Sequence, residues 1–369
     1  MYQPYNILIS PLDWGLGHAT RCIPIIHTLT NQGCNVFIAA EGNIKVLLES
    51  EFPNAKFLPL KGYNIKYSKQ KKWLPFKILT QIPQILFTIY KEHLWLKKTI
   101  KTFSIDAVIS DNRFGLFTNQ VPCIYITHQL LIKTGNNFIE SIISHIHQYF
   151  INKYTECWVP DFEGNNNIAG ELSHPLHMPS NVYFIGCLSR FQLREYVEIK
   201  YELLILLSGP EPQRTILEKI LLLQLKEFTG RVLLVRGLPS TKLLSANKKI
   251  LIFNGGEKIS IKNHLNSDDL NLAIQQAEIV ISRSGYTTIM DLIKLRKKAI
   301  LIPTPGQTEQ EYLAKHLMEK KLFYSVVQNK FLLHESIKKA TKFNFSIVNN
   351  EMDQYKKVVL DFIKNKNVV

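Results

Sequence analysis

Through the first half of the chain, short runs of β-branched and aliphatic residues alternate with longer stretches whose apolar positions recur at helical spacing. The runs at 6–12, 35–41, 56–60, 106–111, 123–128 and 155–160 predict strands, with helices between most of them. That rhythm predicts a parallel sheet with helices on both faces. A polar, irregular stretch at 161–180, containing Gly164, Asn165, Asn166, Asn167, Pro175 and Pro179, interrupts it before a strand at 182–186. From residue 201 the pattern restarts: strand 201–208, a Gly209-Pro210 turn, helix 213–227, strands 231–236 and 249–253, helix 268–276 and the apolar run 279–281. Near the end, Met352, Tyr355, Val358, Val359, Phe362 and Ile363 form a helical stripe. The expected architecture is α/β: two Rossmann-like parallel-sheet domains, 1–187 and 188–345, facing each other across a cleft. A C-terminal helix in 346–369 could pack back on the first domain.

A length of 369 residues suits two ordinary domains, and 46% hydrophobic with 20% charged residues is a globular composition. The longest apolar candidate, 78–90, is broken by Gln81, Pro83 and Gln84, so no membrane-spanning helix is expected. The chain enters its first strand without a basic segment, apolar core and cleavage site, which predicts a cytoplasmic protein. Five cysteines without CxxC spacing read as reduced, mostly buried thiols, not as a metal site or disulfides. A net charge of +15 creates a field attractive to nucleic acid, anionic lipid or phosphorylated substrates. Much of that charge falls in 61–101, where ten lysines face one acid, Glu92, and are interleaved with Tyr63, Tyr67, Trp73, Phe76, Phe87, Tyr90 and Trp95. This mixture suits peripheral contact with an anionic membrane surface, such as the inner face of the plasma membrane. The competing reading is a solvated basic helix over its own core. No recognised nucleic-acid module accompanies the charge, so nucleic acid is not expected as a partner.

Candidate chemistry concentrates where predicted strands end. In 278–317 the apolar run stops at Ser282-Arg283-Ser284-Gly285, presenting backbone amides at a helix start, where anions such as phosphate bind. Asp291 follows, and Gln307, Glu309, Gln310 and Glu311 crowd the next turn. The first strand leads into Ser10-Pro11-Leu12-Asp13-Trp14-Gly15-Leu16-Gly17-His18, whose glycines permit close backbone approach to a ligand. His18 there is either a general base or a histidine packed at a helix start. The turn at 208–214 offers Ser208, Gly209 and Arg214 as a second diphosphate contact. Asp111, Asn112 and Arg113 end one strand; His128 and Gln129 end the next. Neither His145 with His147 nor His174 with His177 has metal-ligand spacing. A dinucleotide-binding reading of Gly15-Leu16-Gly17 with Glu41 meets a mismatch, because Thr20 stands where the third glycine belongs and Pro11 to Trp14 form an extra loop.

The Gly15-Leu16-Gly17-His18 loop, the Ser208-Gly209-Pro210 turn and the segment from Ser282-Arg283-Ser284-Gly285 through Asp291 to Gln310 resemble GT-B glycosyltransferases of family 28. That group contains the N-acetylglucosaminyltransferase of the last peptidoglycan lipid intermediate and the diacylglycerol glycosyltransferases. The resemblance implies GT-B architecture, a second domain that binds a nucleotide sugar, usually a UDP-sugar, and a first domain that binds a hydroxyl acceptor. It also implies transfer with inversion, needing no metal or other cofactor. By the same likeness Ser284 and Gly285 lie beside the diphosphate, and Asp291 stands where the family commonly has a glutamate on the ribose hydroxyls. Gln310 matches the first of two sugar-holding glutamines, and Glu311 replaces the second. His18 matches the histidine of the acceptor-side loop, which here carries Asp13-Trp14 and fewer glycines than the peptidoglycan enzyme. Gln129 falls in an acceptor-side turn with His128 in place of the usual acid. These departures point away from the peptidoglycan lipid as acceptor. His18 or Asp111 would deprotonate the acceptor hydroxyl, with Arg214 or Arg283 near the departing diphosphate. The alternatives on related architecture are a UDP-sugar epimerase and a nicotinamide-dependent dehydrogenase.

Overall fold

The computed structural model describes residues 4–63, 81–238, 249–252 and 258–364. Residues 64–80 of the basic, aromatic stretch and residue 253 of an expected strand lie outside the described residues. The chain forms two compact units, one of residues through Leu188 together with those from Glu351 onward, the other Ser189–Asn350.

In the first unit, strands β1 (Asn6–Pro11), β2 (Asn35–Ala39), β3 (Lys56–Leu58), β4 (Ala107–Asp111), β5 (Cys123–Ile126), β6 (Glu156–Val159) and β7 (Val182–Phe184) form one sheet in the order β3-β2-β1-β4-β5-β6-β7. Every pairing is parallel. Both faces are covered, so the strands are apolar on successive residues instead of alternating with polar ones. Ile7, Ile9, Ile38, Ile109, Ile124, Ile126 and Trp158 enter the core beneath helices α1 (Leu16–Asn31) and α2 (Gly42–Glu51). Leu8, Phe37, Val108, Tyr125 and Cys157 enter the opposite core, with Leu96 and Ile100 of α3 (Ile82–Phe103) and Ile151 of α4 (Asn137–Ile151). All five cysteines are buried, and none is joined in a disulfide.

Beneath α3 lies a buried polar knot. Glu92 accepts from Arg113 Nε at 2.8 Å, from the Tyr63 hydroxyl at 2.7 Å and from the Gly115 amide at 3.0 Å. Arg113 also donates to the carbonyls of Pro11 and Lys61. The single acid of the basic segment therefore ties α3 to the ends of β1 and β4. Gly115 is required there, since a Cβ would lie 2.4 Å from the Ile89 carbonyl.

The second unit contains β8 (Tyr201–Leu206), β9 (Val232–Val235), β10 (Lys249–Ile252), β11 (Lys258–Lys262), β12 (Ala277–Ser282), β13 (Ala299–Leu301) and β14 (Tyr324–Ser325), ordered β10-β11-β9-β8-β12-β13-β14. Its helices include α5 (Gln213–Gln224), α6 (Ser267–Gln275), α7 (Tyr286–Lys294), α8 (Thr308–Glu319) and α9 (Leu333–Thr341). One expectation fails here. The strand near 249–253 does not extend the parallel rhythm but pairs antiparallel with β11, which the hydrophobic pattern does not reveal. Five residues separate the two strands, too few for the crossover a parallel pair needs. β11 then joins β9 in parallel.

Helix α10 (Gln354–Lys364) returns to the first unit, burying Tyr355, Val359, Phe362 and Ile363, with the Phe362 ring edge-on to Trp158 at 5.6 Å. Burying each such side chain contributes roughly 1.5–3 kcal/mol, which holds this tail as a helix.

Candidate active site

Helix α1 opens directly behind Gly15 and places His18 and Arg21 one turn apart on a shared face. Both reach Asp111, the wholly buried last residue of β4. Nδ1 of His18 lies 2.7 Å from Asp111 Oδ1. The Arg21 guanidinium donates from Nε and Nη2 to the two carboxylate oxygens, a bidentate clamp. Its Nη1 stands 3.0 Å from Nδ1 of His128, whose Nε2 is 3.4 Å from the Gln129 side-chain amide. His18, Asp111, His128 and Gln129, read from separate strand ends, are thus gathered by Arg21. Asn112 follows in the left-handed region (φ 55°), which asparagine tolerates, and its amide donates to Ile126. Gly15 faces open space, and Gly17 accepts from the Thr20 hydroxyl at 3.1 Å.

The charge on Asp111 favours one tautomer of His18. Burial alone would raise the Asp111 pKa, but the charges of Arg21 and then His18 outweigh it and hold it at about 2. An ionised carboxylate only accepts, so the proton of neutral His18 sits on Nδ1 and Nε2 keeps its lone pair. Arg21 Nη2 also lies 2.8 Å from the same Nδ1, so the guanidinium, the carboxylate and the imidazole meet at one point. The His18 side chain is 18% exposed, while the carboxylate that meets its Nδ1 is fully buried. Asp111 is fully enclosed, and its carboxylate orients the His18 ring.

In the second unit, β12 ends at Ser282 and α7 begins at Tyr286, with Gly285 in the cap position and therefore no capping side chain. The buried Ser284 hydroxyl donates to the Gln310 carbonyl at 2.8 Å, joining this turn to α8. Gln310 accepts from the Thr304 amide at 2.9 Å and donates to Gln307, while Glu311 accepts from the Gly306 amide at 2.9 Å. Both side chains expected at a sugar are thus bonded to the loop before α8. Ser208 and Gly209 are exposed, and a Cβ at Gly209 (φ 98°) would sit 3.6 Å from Thr304 Oγ1, so this turn adjoins the same loop.

Two expected anion contacts are corrected by their partners. Arg283 is wholly buried and donates to the carbonyls of Ile302, Pro303 and Gln213 and to the Gln328 side chain. Burial depresses its pKa to about 10. It fastens loops inside the unit. Arg214 is neutralised by Glu211 at 2.6 Å and Glu218 at 2.9 Å, and Glu218 also receives Arg236. Neither guanidinium is disposed toward a diphosphate. The starts of α5 and α7 present backbone amides, the kind of group that binds anions.

Asp291 is buried on α7 and accepts from the Ser189 hydroxyl at 2.5 Å. Burial raises its pKa to about 6, against the lowering effects of Arg190 and the Ser189 bond. Sequence patterns give no signal for Ser189 or Arg190, which lie 102 and 101 residues before their partner. Because the folded-state pKa exceeds the ordinary value, this group favours folding most below about pH 4, and that contribution is lost as pH rises through 6. Replacing Asp291 with Asn is therefore expected to stabilise the protein at pH 8 by up to about 3 kcal/mol. The gain should vanish near pH 4. Denaturant melts of both proteins at the two pH values check this; equal midpoints at pH 8 would contradict it.

Residues 216–365 match the glycosyltransferase family 28 C-terminal domain. The UDP-N-acetylglucosamine--N-acetylmuramyl-(pentapeptide) pyrophosphoryl-undecaprenol N-acetylglucosamine transferase of Histophilus somni (strain 129Pt) is 25% identical over 285 residues, 74% of each chain. An uncharacterized glycosyltransferase of Methanosarcina acetivorans is 22% identical over 328 residues, 83% of this chain and 81% of its own. The crystal structure of Acinetobacter baumannii MurG is similar with a TM-score of 0.53 at 14% identity, across 98% of this chain and 100% of that one. Two α/β units built on largely parallel sheets, with these likenesses, have the GT-B fold, and the family match and the relatives make the chain a glycosyltransferase. More narrowly, the chain is a family 28-like glycosyltransferase.

Proposed function

We propose that this enzyme transfers a hexose or N-acetylhexosamine from a UDP-sugar to a hydroxyl acceptor, inverting the anomeric centre and using no metal. The observation that carries the reading is the His18–Asp111 contact, which leaves a basic imidazole nitrogen beside a glycine loop. The acceptor O–H proton passes to His18 Nε2 as the oxygen bonds to the anomeric carbon. The bond from that carbon to the diphosphate breaks, and UDP leaves with the electron pair. A single displacement of this kind inverts. Backbone amides at Gly285-Tyr286 and at the Ser208-Gly209 turn would receive the developing charge, a preorganised form of stabilisation. Asp291 would accept from the ribose hydroxyls, and Gln310 and Glu311 would meet the sugar by giving up bonds to their loop. Incubation with UDP-sugars tests the reading. UDP should appear only when a hydroxyl acceptor is present, whereas an epimerised sugar nucleotide formed without acceptor would contradict it.

The proposed location is the surface of an anionic membrane. Among the described residues no helix is long and apolar enough to cross one. Leu86, Phe87, Tyr90 and Leu94 on α3, and Phe138, Ile142, Ile146 and Tyr149 on α4, are exposed along helical stripes. Both helices rest on the same cluster around Phe114, through Ile85, Ile89 and Phe150. Lysines border the rings: Lys91 Nζ lies 4.3 Å from Phe87 and Lys153 Nζ 4.6 Å from Tyr149. Rings entering the acyl boundary with ammoniums at headgroup level would give salt-sensitive attachment. Sedimentation with phosphatidylglycerol vesicles should show binding that Phe138→Glu with Ile142→Glu reduces at least tenfold. Absent or salt-independent binding would contradict this location.

A further inference from the structure

The first unit holds a cavity of about 540 Å³ beside the loop that leads into α1. Its volume falls within the roughly 300–1,000 Å³ of small-molecule sites. Its walls come from the loop before α1 (Asp13, Trp14, Gly15), the start of α2 (Glu41, Asn43) and the stretch after β3 that includes Lys61. The Trp14 side chain is 43% exposed, and its ring is braced edge-on against Tyr63 with centroids 6.3 Å apart. Asp13 accepts from the Tyr63 amide at 3.3 Å, and its carboxyl lies so close to Gly62 that any Cβ there would collide with it. The loop carrying the tryptophan is therefore held against the 61–63 stretch. Gly15, on the cavity wall, is three residues before His18.

We propose that this cavity is the acceptor subsite and takes a neutral carbohydrate, whose hydroxyl is delivered to His18. The inference rests on the transferase reading above. An indole offers a flat apolar face for the C–H side of a pyranose. Carboxylates and a carboxamide accept from, or pair with, its hydroxyls. Two wall carboxylates, Asp13 and Glu41, against one ammonium, Lys61, make the lining net negative and disfavour a phosphate or diphosphate. That is the opposite of what the bare helix starts at Gly15 and Glu41 would otherwise attract. The acids and the tryptophan thus select against lipid diphosphates and for uncharged sugars or glycosides.

The test measures binding to the intact chain without donor, by saturation-transfer NMR and titration. The probes are methyl glycosides and disaccharides, with inorganic pyrophosphate and NAD as competing ligand classes, and UDP is titrated into the same samples. At least one saccharide should bind, with affinity lowered about tenfold or more in Trp14→Ala, lowered in Glu41→Gln and partly kept in Trp14→Phe. UDP affinity should be unchanged in all three, which also reports that the variants are folded. Saccharide binding indifferent to Trp14, absence of saccharide binding while UDP binds, or preferential binding of pyrophosphate or NAD would overturn the subsite and leave the donor reading standing. Failure of UDP itself to bind would instead overturn the transferase reading on which the subsite rests.

Discussion

His18→Ala is expected to lower turnover by about 10²- to 10⁴-fold while donor affinity stays within twofold of the parent, the range for losing a general base. The expectation follows from a fixed proton. Asp111 stays ionised at any working pH because its pKa is about 2, so it holds the Nδ1–H of His18 and leaves Nε2 as the acceptor. Arg21 keeps the carboxylate in place, and burial prevents water from substituting for either partner. Asp111→Asn should reproduce much of the loss, because a carboxamide can donate to Nδ1 and stabilise the wrong tautomer. Steady-state rates with varied donor check both. Near-normal turnover in His18→Ala would reassign the histidine to packing at the start of α1.

Asp291→Ala is expected to weaken UDP binding by about 10- to 100-fold with little change in turnover at saturating donor. A hydrogen bond to a charged group contributes about 1.5–3 kcal/mol, which is that range in affinity. The effect should depend on pH. With a pKa near 6, Asp291 is a carboxylate at pH 8 and largely protonated at pH 5, so the parent's affinity should fall toward the variant's as pH drops. Ser189→Ala separates positioning from contact: the carboxylate remains, but its hydroxyl partner is gone. A smaller loss is expected there. Competition between UDP and donor at both pH values gives these numbers, and a pH-independent gap between parent and Asp291→Ala would remove ribose recognition from this residue.

Much of the fold could be read because a sheet covered on both faces leaves apolar runs that stop where the ladder stops. Runs at 6–12, 106–111 and 201–208 differ from β1, β4 and β8 by at most two residues at either end. The hairpin of β10 and β11 was hidden. A five-residue strand, Lys-Ile-Ser-Ile-Lys, is too short and too charged at its ends to separate from a loop. Candidate site residues at strand ends could be picked out for the same reason that strands could. Arg21 was legible in principle, three residues after His18 on one helix, but nothing local announces that its charge points inward. Arg283 and Arg214 show the converse. Beside glycine turns they look like anion contacts, yet tertiary partners from Gln213 to Gln328, and Glu211 with Glu218, absorb them. Sequence distance hides such neutralisation.

Calorimetric titration of UDP into the intact protein at pH 8 tests most directly the claim that the second unit holds a uridine nucleotide through α7. The account predicts saturable binding at about one UDP per chain, weakened in Asp291→Ala and unaffected by His18→Ala. No binding, or binding of equal strength in the parent and Asp291→Ala, would contradict it.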